Sequence, residues 1–97
     1  MAKKGYWVVC YESVSNPDAL VEYRKLAGAA VSVSGGHAII SNSPARVHEA
    51  GVDQRVVIIE FDSLEKAIAA YESDEYKKAL VALGNAAKRD FRIVEGV

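Results

Sequence analysis

His37 and Glu60 are the leading candidates of this chain to move a proton near neutrality. His37 follows the Gly35-Gly36 pair and opens a short apolar run, HAIIS. An imidazole there could act as general acid or base at the rim of a pocket, or be a strand-end histidine with no role. Glu60 is the one acid in RVVIIEF, Arg55 to Phe61. A carboxylate among apolar neighbours needs a partner or holds its proton with a raised pKa. It is therefore a catalytic acid in a pocket, half of a salt bridge across a dimer, or a group at the point where the strand meets solvent. Arg55 has the opposite parity and can reach Glu60 only from another strand or a second protomer. Arg89 and Arg92 are other possible partners. Tyr23 and Tyr76 sit on the inner stripes of two helices, so their hydroxyls either orient an oxygen of a small ligand or lie hydrogen-bonded in the core. His48 is a weaker candidate on an exposed arm.

Other chemistries lack their residues. One cysteine and two histidines make no metal-ligand set at a recognisable spacing. Cys10, mid-strand among apolar neighbours and without an adjacent histidine or lysine, reads as a buried, inert thiol. The glycine pair follows a helix, whereas a phosphate cradle puts its glycines after a strand and before a helix. Twelve Lys and Arg against thirteen Asp and Glu give a net charge of -1, with the basic residues scattered, so no nucleic-acid partner is expected. The apolar run after the basic start MAKKGYW ends at Glu12, too soon for an export signal or a membrane span. No membrane and no cofactor are expected, and the composition points to the reduced cytoplasm.

The elements that must position these residues follow from periodicity. The chain, 97 residues and 51% hydrophobic, makes one domain over 1–97. Tyr6 to Tyr11 and Arg55 to Phe61 are apolar on both parities, which marks strands covered on both faces. Asn16 caps a helix led by Pro17, with Leu20, Tyr23, Leu26 or Ala27, and Ala30 or Val31 inward. His37 to Ser41 is a strand, and Arg46 to Glu49 is a second strand or an irregular arm. Asp62 and Glu65 suggest a capping box for a helix burying Leu64, Ala67, Ile68 and Tyr71. Ser73 recaps a further helix with Tyr76, Ala79, Leu80, Leu83 and Ala87 inward. Phe91, Ile93 and Val94 close the pattern as a last strand. The order β-α-β-β-α-β predicts an α+β, ferredoxin-like sandwich: four antiparallel strands with helices on one face. A domain this small buries only about 60–65% of its unfolded surface. The uncovered face therefore predicts a homodimer through sheet-to-sheet packing.

RVVIIEFDSLEKAIAAYESDEYKKAL with the closing IVEG resembles the family DUF1330, a domain of unknown function, and Pro17, Tyr23, Gly35-Gly36 and the Glu49/Gly51 pair fit its first half. The resemblance spans essentially the whole chain. It implies a homodimer of ferredoxin-like protomers, a dimeric α+β barrel, and says little about chemistry. The chain departs from such proteins at Leu83, where an arginine is common, at His37, where arginine or lysine often follows the glycines, and in the glycine-poor turn from Ile40 to Ala45. If the usual helix arginine holds an anion, Leu83 removes that role.

Two functions remain open. One is a cofactor-independent small-molecule enzyme or binder with a pocket between sheet and helices, in which His37 or Glu60 moves a proton while Tyr23 or Tyr76, with Arg55, holds the ligand. The other is a non-catalytic dimer that binds a ligand or a protein, with its pocket closed by Leu83 and the tyrosine rings.

Overall fold

Strand β1 (Gly5–Val14) runs through the middle of a four-stranded antiparallel sheet in the computed structural model, which describes residues 3–97. The other elements follow as α1 (Pro17–Val33), β2 (His37–Asn42), β3 (Val56–Phe61), α2 (Leu64–Tyr71), α3 (Asp74–Leu83) and β4 (Ala87–Glu95). The sheet order is β2-β3-β1-β4. This is a ferredoxin-like sandwich with its helices on one face. The molecule measures 38 × 32 × 15 Å. Its short dimension has room for one sheet and one helix layer, so the outer face of the sheet is bare.

Strand alternation decides what meets the helices. Trp7 lies opposite Ile59 on one side and Ile93 on the other, and Val9 lies opposite Val57 and Phe91. These residues, with Tyr11 and Phe61, form the sheet half of the core. Leu20, Tyr23, Ala30 and Val31 of α1 and Tyr76, Ala79 and Leu83 of α3 form the helical half. The Trp7 ring packs 5.1 Å from Phe61 and 4.8 Å from Tyr76. Its indole N–H donates to the Ala67 carbonyl at 2.8 Å, which pins α2 to the sheet without leaving a buried donor unmet.

The implied α+β barrel is corrected by this topology. β2 and β4 are edge strands, each paired on one side only, and the sheet is open. About eight strands are needed to close around an interior that side chains just fill, and four are too few.

Local signals fare unevenly. Asn16 Oδ1 accepts from the Ala19 N–H at 3.3 Å with Pro17 in the first turn, and Ser73 Oγ accepts from the Tyr76 N–H at 3.2 Å. The cap of α2, however, is Ser63 and not Asp62: Ser63 Oγ accepts from the Lys66 N–H at 3.2 Å. Asp62 instead lies near Lys4 and Lys66, at 3.8 and 3.6 Å. α2 buries Ala67 and Ala70, while Ile68 is 41% exposed, because the small side chains let the helix backbone approach the sheet. α3 stops at Leu83, where Gly84 takes φ 52°. Ala87 therefore belongs to β4 and not to a helical stripe. Arg46 to Glu49 forms no strand; residues 43–55 are a connection with a turn that the Gly51 N–H closes on the His48 carbonyl at 2.9 Å. Cys10 is exposed on the bare face, so its thiol is not buried in this chain.

Candidate functional site

The titratable candidates fall on the two sides of the sheet. On the bare face, Glu60 stands directly across from His37 of β2 and Tyr6 of β1. Directly opposed residues share a face, so the three side chains meet. His37 Nε2 lies 3.3 Å from Glu60 Oε1, and the Tyr6 hydroxyl donates to Glu60 Oε2 at 2.9 Å. The Glu60 side chain is 19% exposed and that of His37 63%. The hydrogen bond to Glu60, with burial and the Glu60 charge added, raises the Tyr6 pKa. Glu60 thus has two partners, and Arg55, Arg89 and Arg92 are not among them: Arg92 pairs with Asp90 at 3.0 Å.

On the helix side, α1 stands away from the edge of the sheet over β2 and β3. The gap is a cavity of about 320 Å³. Its floor is Trp7, Val9, Tyr11 and Ile59 from the sheet, with Tyr23 and Val31 from α1, all buried. Arg24, Ser32, His37 and Ser41 form an exposed rim, joined by the half-buried Arg55. Gly28 also lines it, and a Cβ there would meet nothing within 4 Å. Leu83 does not line the cavity and so does not close it; it is buried in the core.

The polar end of this cavity belongs to Arg89. β4 places it opposite Tyr11, in phase with Phe91 and Ile93 on the buried face. Its guanidinium lies 5.0 Å from the Tyr23 ring centroid and 5.3 Å from that of Phe91, and one N–H donates to the Tyr23 hydroxyl at 2.8 Å. Tyr23 and Tyr76 hydroxyls are 2.7 Å apart. Among the described residues no carboxylate forms an ion pair with Arg89. Burial opposes its charge, but the Tyr23 and Tyr76 hydroxyls outweigh that and hold its pKa above the ordinary arginine value. Burial, with Tyr23 adding to it, pushes the Tyr76 pKa well up, Arg89 acting the other way. Tyr76 is therefore a neutral phenol at every working pH.

The structure thus brings Tyr23 and Arg55 to one cavity with His37 at its rim, sets Tyr76 behind Tyr23, and leaves Glu60, with the His37 imidazole beside it, on the bare face of the sheet. Arg55 spends its guanidinium on Ser41, donating to Oγ at 2.6 Å. The sequence alone offers Arg89 only as a partner for Glu60, and the structure gives it Tyr23 instead. The signal that places it is strand parity: in the last strand Arg89 alternates in step with Phe91 and Ile93 and so faces the helices. Among the described residues no group of His, Cys, Asp and Glu is placed to hold a metal ion. No helix among them is long and apolar enough to cross a membrane.

The family described as Domain of unknown function (DUF1330) matches residues 4–97. No curated protein matches the chain in sequence. Among solved structures, a protein of unknown function from Rhodopseudomonas palustris has a TM-score of 0.73 at 13% identity, over 100% of this chain and 85% of its own. A cofactor-independent oxygenase from Streptomyces nogalater gives 0.67 at 12% identity, over 99% and 95%. A dimeric ferredoxin-like protein of unknown function from Thermobifida fusca gives 0.59 at 11% identity, over 99% and 93%. Likeness at these identities shows the fold alone.

Proposed function

This chain belongs to the family described as Domain of unknown function (DUF1330), and from that premise we propose that it is a small-molecule-binding protein whose ligand occupies the cavity between α1 and the sheet. One observation carries the reading. Arg89 is a partly buried cation that among the described residues has no carboxylate partner, and it lines an otherwise apolar part of the cavity. Aromatic rings and the Tyr23 hydroxyl contact the guanidinium, but none of them supplies a counter-charge, which a ligand would. The test is a thermal-shift and calorimetric screen of small organic molecules, repeated on Ala27→Phe, which fills the cavity from α1. The reading expects hits that Ala27→Phe loses while its circular dichroism is unchanged. Hits that bind both proteins equally would sink it.

The protomer is proposed to pair through the bare face of its sheet. Val8, Val56 and Ile58 are half-buried there, and Ile40 and Val94 are each 46% exposed. A second sheet packed about 10 Å away would cover them. The Thermobifida fusca protein of this fold is itself described as dimeric.

Catalysis without a cofactor is the second reading, favoured by the place of His37. His37 is among the residues at the cavity rim, and its Nε2 lies 3.3 Å from Glu60 Oε1, a pairing that could orient a general base. The Streptomyces nogalater protein of this fold is a cofactor-independent oxygenase. Oxygen uptake with small phenols as substrates, lost in His37→Ala with binding retained, would favour it over simple binding.

A further inference from the structure

We infer that the cavity takes an organic carboxylate with an apolar body, its anionic end held by the Tyr23 hydroxyl and the Arg89 guanidinium; this rests on the ligand-binding reading above and names its ligand class.

The first support is an account of hydroxyl protons. Tyr76 is 0% exposed, and among the described residues the one acceptor for its hydroxyl proton is the Tyr23 oxygen. A buried phenol that finds no acceptor for its proton costs about 1–3 kcal/mol. Tyr76 therefore donates to Tyr23. Arg89 also donates to Tyr23, since a guanidinium cannot accept. The Tyr23 oxygen then receives two hydrogen bonds, which uses both of its lone pairs. Among the described residues its own proton has no acceptor. Tyr23 lines the cavity, so this proton is a donor turned toward whatever the cavity holds. The two bonds it accepts polarise it and strengthen it as a donor.

The second support is charge. Arg24, Arg55 and Arg89 line the cavity, and among the described residues no aspartate or glutamate does. In a chain with more acidic than basic residues this is a local excess of one sign. Arg89 keeps four further N–H groups after its bond to Tyr23, in the planar fork that matches a carboxylate. A ligand carboxylate would accept from both Arg89 and Tyr23 and supply the missing counter-charge.

The third support is the remainder of the wall. Val9, Ala27, Val31, Val57 and Ile59 offer only hydrocarbon. At about 320 Å³ the space lies at the low end of small-molecule sites, which run from about 300 Å³ upward. The apolar body is accordingly small, of the order of one ring with a short chain. Arg55 and Arg24 at the rim lend a positive field to the entrance.

The test compares 3-phenylpropionate with its uncharged isostere 3-phenylpropanamide, by calorimetry on the wild-type protein at neutral pH and low salt. The acid is expected to bind at least tenfold more tightly than the amide. Arg89→Gln and Tyr23→Phe, each checked for folding by circular dichroism, are expected to reduce that preference to below threefold. Equal binding of acid and amide in the cavity would overturn the carboxylate inference and leave the ligand-binding reading standing. Binding of neither would overturn both. The wild-type comparison decides the matter even if a variant fails to fold.

Discussion

Tyr23 and Tyr76 join α1 to α3 through one hydrogen bond, 2.7 Å between buried hydroxyl oxygens. The two substitutions that break it are not equivalent. Tyr23→Phe strands both the Tyr76 proton and an Arg89 N–H, and is expected to cost about 2–3 kcal/mol. Tyr76→Phe removes a donor and strands nothing, so about 1 kcal/mol is expected. The double variant should cost less than the sum, because both remove the same bond. Urea unfolding of the four proteins measures this. Equal costs for the two single variants would contradict the assignment of Tyr76 as donor.

Two glycines should respond to alanine with opposite signs. A Cβ on Gly36 would lie 2.5 Å from the Phe61 ring, one of the best-buried side chains. Gly36→Ala must displace that ring or the chain and is expected to lose about 1–3 kcal/mol. Gly28 is exposed inside α1, and a Cβ there meets nothing. Gly28→Ala should gain about 1 kcal/mol through helix propensity and a less disordered unfolded chain. Thermal denaturation distinguishes the two; a loss at Gly28 would mean that the open space beside it is not real.

These glycines also show where sequence reading stops. The order of strands and helices was legible, because parity in RVVIIEF and YWVVCY and the caps at Asn16 and Ser73 are local signals. The α2 start was misjudged by one residue. Asp62 and Ser63 are both good caps, and the choice between them is made by how Ala67 and Ala70 fit the sheet, which is a tertiary fact. Closure into a barrel was expected from resemblance, and strand pairing alone decides it.

The site was legible in its residue types but not in its grouping. Glu60 was correctly flagged as an acid in need of a partner, yet its partners His37 and Tyr6 come from two other strands through a register that no local pattern sets. Arg89 shares the parity of Phe91 and Ile93, which excludes it as a same-face partner of Glu60, but its contact with Tyr23 depends on how α1 packs over the sheet, which no local pattern sets.

The Tyr6 phenol should report on Glu60 at high pH. Its pKa is raised above the ordinary value of about 10 by the hydrogen bond to that carboxylate. A raised folded-state pKa contributes stability that is fully present below the unfolded value and is lost as pH rises through the folded one. The window therefore opens near pH 10 and extends upward. Phenolate absorbance should show Tyr6 ionising at lower pH in Glu60→Gln than in wild type, with Tyr6→Phe identifying its part of the curve. Superimposable wild-type and Glu60→Gln titrations would mean that the bond is not maintained in solution.

Ile58 offers the sharpest test of pairing between protomers. It sits on the bare face between Val8 of β1 and Ile40 of β2, directly opposite both in the ladder. Its side chain points away from the helices, so Ile58→Asp should leave the protomer core intact. In a sheet-to-sheet dimer the same aspartate would be buried against apolar side chains without a partner, at a cost large enough to separate the protomers. Wild-type protein is expected to sediment at twice 10.5 kDa and Ile58→Asp at 10.5 kDa, with matching circular dichroism. Val21→Asp, at a 53% exposed position on α1, should stay at the wild-type mass. A wild-type protein that sediments at 10.5 kDa throughout the micromolar range would show that the bare face is not covered by a second copy.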